Sequence, residues 1–150
     1  MKGSFVAIAL LLTAILVIGA ACTKSGSNNS TPASAGAPAG KVIKTVKVND
    51  LTATLLSSTG QLKKGAQELT LAFNDSLGKS VDVGAVSLNF HMAQMGNMAA
   101  MNDAVTFTTT GTPGVYRGKV NIEVAGEWQA QLAYEGPAGT GKTTFSVTAQ

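Results

Sequence analysis

Val115-Tyr-Arg-Gly-Lys-Val-Asn-Ile-Glu-Val124 and, after a break at Ala125-Gly-Glu127, Trp128-Gln-Ala-Gln-Leu-Ala-Tyr-Glu135 decide the fold class. In the first, Tyr116, Val120, Ile122 and Val124 alternate with Arg117, Lys119, Asn121 and Glu123. In the second, Trp128, Ala130, Leu132 and Tyr134 alternate with Gln129, Gln131 and then Glu135. A period of two puts apolar side chains on one face of an extended chain and polar ones on the other. Similar runs lie on both sides. Leu51 to Leu56 reads as a strand, Leu69, Leu71 and Phe73 share one face, and so do Val86, Leu88 and Phe90. Val105 to Thr109 is joined to the opening stretch by a turn at Pro113-Gly114, and Thr143 to Thr148 closes the chain with Phe145 and Val147 inward. Asn74-Asp-Ser-Leu-Gly-Lys79 has the chemistry of a turn, since Asn, Asp and Gly tolerate the backbone angles required. No stretch of the mature domain keeps a helical period. About seven short strands separated by turns predict an all-β protein, an antiparallel β-sandwich built from residues 41–150 as one domain.

The N-terminus reads differently. Met1-Lys2-Gly3-Ser4 carries one positive charge, and Phe5 to Ala21 carries none. That is the layout of a signal peptide over residues 1–21. The apolar run is slightly short for a helix crossing ~30 Å of hydrocarbon, which needs ~20 apolar residues. Ile18-Gly-Ala-Ala-Cys22 resembles a lipobox, the motif cut just before a lipid-modified cysteine, and departs from it at Gly19, where Leu, Val or Ile is usual. Cys22 is the one cysteine of the chain. A lone cysteine outside the cytoplasm has no disulfide partner, and a thioether-linked lipid accounts for it. The other reading is an uncleaved anchor helix with Cys22 incidental. Both place the remainder outside the cytoplasm, as an exported, membrane-anchored protein facing the periplasm or the extracellular side. Residues 22–40, mostly Ser, Gly, Ala, Asn and Pro after the lipidated cysteine, bury too little apolar surface to fold and read as a tether.

Removing residues 1–21 takes Lys2 with it and leaves ten basic and eight acidic residues, a net charge of +2. That is too weak a field to argue for nucleic acid. Lys24, Lys41, Lys44 and Lys47 lie nearest the membrane and read as part of a solvated linker and an edge strand.

Phe90-His-Met-Ala-Gln-Met-Gly-Asn-Met-Ala-Ala-Met-Asn102 is the stretch richest in chemistry. Met92, Met95, Met98 and Met101 stand three apart, and His91, the one histidine, abuts the first. Thioethers and imidazole are good ligands for Cu(I), and thioethers suit Ag(I) as well. In a loop or a helical turn a three-residue spacing brings the sulfurs to roughly one side, whereas in a strand alternate methionines face opposite ways. Two functions fit. One is soft-metal binding by Met92, Met95, Met98 and Met101, with His91 as a further candidate. The other is a structural or protein-interaction module whose methionines form an adaptable apolar contact surface.

Gly136-Pro-Ala-Gly-Thr-Gly-Lys-Thr143 matches a phosphate-loop pattern by letter. The mechanism needs a helix after the loop, and Thr144 to Gln150 reads as a strand, so no nucleotide is expected. A second histidine and an available thiol are both lacking, so no familiar nucleophile–base pair assembles and an enzyme is not expected.

Taken in order, Leu69-Thr-Leu-Ala-Phe-Asn-Asp75 with Gly78-Lys79, the methionine run, Gly114-Val-Tyr-Arg-Gly-Lys-Val120, Ala125-Gly-Glu-Trp-Gln-Ala130 and the closing Gly-rich hairpin resemble the YtkA-like and FixH-like domains of bacterial envelope proteins. The resemblance covers about Leu51 to Thr148. It implies an immunoglobulin-like sandwich with a Met-rich loop at Met92 to Met101. It also implies a partner in metal efflux or metalloprotein assembly. FixH-like proteins usually keep an N-terminal membrane helix where this chain has a lipobox, which argues against a part in oxidase assembly.

Overall fold

A computed structural model describes residues 38–150. The signal peptide, Cys22 and most of the tether lie outside the described residues. Nine strands follow one another: β1 (Lys41–Val48), β2 (Leu51–Ser57), β3 (Gly65–Asn74), β4 (Ala85–Met92), β5 (Met101–Ala104), β6 (Thr106–Thr109), β7 (Val115–Ile122), β8 (Gly126–Gly136) and β9 (Gly139–Ala149). They form two antiparallel sheets, ordered β1-β2-β3-β7-β6 and β5-β4-β8-β9, packed as an immunoglobulin-like sandwich. The architecture is the expected one; the count of about seven strands is corrected to nine. One of the two strands beyond those seven is β1, the edge strand expected at Lys41, Lys44 and Lys47, whose lysines discourage pairing with another chain. The other is β5. Ala104 pairs with Asn89 in the smaller sheet, and Thr106 pairs with Lys119 in the larger. Between them the buried Val105 donates its amide to the Leu88 carbonyl (2.9 Å) as the chain crosses from sheet to sheet.

The alternating residues meet between the sheets. Trp128, Phe73, Phe90, Leu55, Leu62, Leu69, Leu71, Leu88, Ile122 and Leu132 are all fully enclosed. The Trp128 indole N–H donates to the Val124 carbonyl at 3.1 Å, so its one polar atom is satisfied. Phe73 stands edge-on to Tyr116 and to Tyr134, with centroids 6.0 and 5.5 Å apart. Asn49, in the tight turn from β1 to β2, has a φ of 56°, which Asn tolerates better than most residues. Its amide donates across the sandwich to the Thr140 carbonyl at 2.9 Å. The Asn74–Lys79 turn is held by Asp75, whose Oδ1 accepts the amides of Leu77 and Lys79, each at 2.9 Å. The Gly136–Thr143 segment is the β8–β9 hairpin, turning at Pro137-Ala138 and continuing as a strand.

Tyr116 ties the β3–β4 connection to β7. Its hydroxyl donates to Asp82 Oδ1 (3.0 Å) and accepts the Val83 amide (3.3 Å), while Asp82 also accepts the Gly84 amide at 3.0 Å. The Gly84 amide first, then the Tyr116 hydroxyl, hold the Asp82 carboxyl below the ordinary carboxylate range, against a smaller effect of burial. Burial first, then the bond to Asp82, pushes the Tyr116 hydroxyl above the ordinary tyrosine range. Linkage gives each a sign. The Asp82 contribution is complete above its ordinary pKa of 3.8 and is lost as pH falls below it. The Tyr116 contribution is complete below its ordinary pKa of 10.0 and is lost as pH rises above it. Tyr116→Phe is therefore expected to reduce stability at neutral pH by about 1 kcal/mol and to flatten the alkaline loss. Urea unfolding across pH checks both; an unchanged alkaline limb would contradict the assignment.

Candidate functional site

The methionine run is a β-hairpin. Met92 pairs with Met101 at the end of the β4–β5 ladder, and Met95 pairs with Met98 beyond it. Both pairs fall in the register set by Asn89↔Ala104 and His91↔Asn102, so the two arms run past each other without a slip. The Met95 amide donates to the Met98 carbonyl at 3.2 Å and the Met98 amide to the Met95 carbonyl at 2.9 Å. Only Gly96 and Asn97 lie between. Gly96 has a φ of 57°, as the first central residue of a type II′ turn requires.

This geometry sorts the methionines into two cross-strand pairs instead of gathering four sulfurs on one side. Met92 is 2% exposed and belongs to the core, and its terminal methyl lies so close to Gly126 that a Cβ there would come within 3.1 Å of it. Met101 is half-buried and packs against the same core. Met95 and Met98 are 56% and 46% exposed at the tip. Directly opposed residues on antiparallel strands have Cβ atoms ~5 Å apart, so two flexible thioethers there can close on one ion.

His91 is half-buried, next to the core residues Phe90 and Met92 on the opposite face of β4. Its Nδ1 lies 2.9 Å from Asn102 Oδ1, which also accepts the Asn89 side-chain amide at 3.2 Å. An amide oxygen only accepts, so Nδ1 carries the proton, and in the neutral ring Nε2 is left with its lone pair. Metal-binding histidines are commonly oriented in this way. Asn102 was not among the residues singled out in the sequence. By register His91, Met95 and Met98 share one face of the hairpin, although four residues of strand put His91 and Met95 roughly 13 Å apart along the chain.

Among the described residues no group of three or more His, Cys, Asp or Glu could hold a metal ion. A cleft of about 540 Å³ beside the larger sheet is lined by Ser57, Lys63, Glu68, Thr70 and Arg117, among others. Arg117 and Glu68 are paired there at 3.3 Å. The Ser57 hydroxyl donates to the Gln61 carbonyl and accepts the Gly60 and Gln61 amides, which fixes it as a turn element.

The YtkA-like family model matches residues 45–133, from β1 into β8, and so includes the whole methionine hairpin. No curated protein and no solved structure matches the chain. More than half of the sequence lies within that family match, and the chain belongs to the YtkA-like family.

Proposed function

We propose that this protein is a lipid-anchored, non-enzymatic domain of the cell envelope that binds Cu(I) or Ag(I) at the tip of its methionine hairpin. It buffers the ion or passes it to a partner in metal efflux or metalloprotein assembly. The observation that carries this reading is the exposed, directly opposed pair Met95 and Met98. Exposed sulfurs paired across a tight turn are suited to picking up a soft ion and releasing it by ligand exchange. Neutral thioethers take no proton and form no disulfides, so such a site works in an oxidising compartment with little dependence on pH. Met101 and His91 are second candidates at the base of the hairpin, and Met92 seats the hairpin on the core.

Competition for Cu(I) against a chromogenic chelator tests this. The Met95→Leu/Met98→Leu variant is expected to lose affinity by about 100-fold or more. Met92→Leu is expected to change it little. Leucine keeps the apolar bulk at the tip and removes the sulfur. An unchanged affinity in the double variant would overturn the site, and a folded wild-type chain that never competes would overturn metal binding and leave the apolar interaction module.

A further inference from the structure

Two neutral thioethers are a sparse ligand set for a monovalent ion, and the other described residues supply little more at the tip. Met92 is enclosed and Met101 packs on the core. His91 lies roughly four residues of strand away. Asp103, the nearest carboxylate in sequence, holds the Glu123 amide with its Oδ2 at 3.1 Å.

Resting on the reading of Met95 and Met98 as metal ligands, we infer that one Cu(I) or Ag(I) ion bridges two copies of this chain, each hairpin tip giving its Met95 and Met98 to a shared four-sulfur site. The tip suits that contact. From Met92 to Asn102 there is no Asp, Glu, Lys or Arg, so two tips approach without like-charge repulsion. Ala93, Gly96, Ala99 and Ala100 are small and exposed, leaving room beside the sulfurs for a second hairpin. Met95 and Met98 are two of the four exposed large apolar side chains among the described residues, and burying them against their own copies removes that surface from water. A two-fold contact of this kind is self-complementary, and four sulfurs from two identical pairs satisfy it.

The test is native mass spectrometry of the full chain in detergent, in chloride-free buffer, as Ag(I) is added. Half an equivalent is expected to convert monomer into a species of two chains and one ion, which a chelator reverses. Met95→Leu/Met98→Leu is expected to remain monomeric throughout. One ion held by one chain at every protein concentration would overturn the bridge while the metal reading stands, with the open position left for a ligand from a different protein. Failure to retain Ag(I) at all would remove both. Two-chain species without the ion, or in the double-leucine variant, would show apolar association and also overturn the bridge.

Discussion

Replacing Trp128 by Ala is expected to reduce the stability of the domain by about 3–5 kcal/mol, which lowers the melting temperature by roughly 15–25 °C. Trp128 is completely enclosed, on the inner face of β8 opposite Val147. The substitution removes the largest side chain of the core and leaves a cavity that two sheets pinned by their ladders close only in part. It also leaves the Val124 carbonyl without the indole N–H it accepts, an added cost where water does not reach. A domain whose total stability is of order 5–15 kcal/mol keeps a small margin afterwards. Trp128→Phe keeps most of the apolar contact and is expected to cost less than half as much. Thermal unfolding followed by circular dichroism measures both, and a loss below about 1 kcal/mol for Trp128→Ala would contradict a core centred on this residue.

Cys22→Ser is expected to abolish acylation completely. The proposal places a thioether-linked lipid on Cys22, which lies outside the described residues. Membrane anchoring then follows from acyl chains that each gain about 0.8 kcal/mol per buried CH₂. Growth with radiolabelled palmitate reads this directly, because label follows the lipid whether or not residues 1–21 remain. Label on the wild type and none on Cys22→Ser is the expected pattern. An unlabelled wild type whose mass includes residues 1–21 would instead establish the uncleaved anchor and make Cys22 incidental.

The strands of the sandwich were legible where a single face is buried and the alternation unbroken. Tyr116 to Ile122 and Trp128 to Tyr134 do this, and their buried positions are those the alternation picks out, whereas Val115, of the other parity, is buried in a separate cluster with Leu56 and Ala72. The boundary between β5 and β6 was hidden for the opposite reason. Met101, Asp103, Val105 and Phe107 keep one parity straight through the crossing, so the change of sheet leaves no mark on the pattern. In β1 the register shifts between Val42 and Lys44, which disturbs the alternation a strand is recognised by. The hairpin had a signal that spacing obscured. Three-residue intervals suggest a loop or helical turn, yet Met92 and Met101, like Met95 and Met98, are symmetric about Gly96-Asn97, a dipeptide suited to a two-residue turn. Read about that centre, the four methionines become two cross-strand pairs. Which pair the core takes follows from Met92 being packed beside Gly126, a contact between residues far apart in sequence. The pairing of His91 with Asn102 is set by the same hairpin register.

The most direct test of soft-metal binding at the hairpin tip is an NMR titration of the chain, carrying ¹³C-methyl methionine, with Ag(I). The methyl signals of Met95 and Met98 are expected to shift together and to saturate at no more than one ion per chain, while that of Met92 stays in place. Tip signals that do not move, or a response led by Met92, would contradict the account.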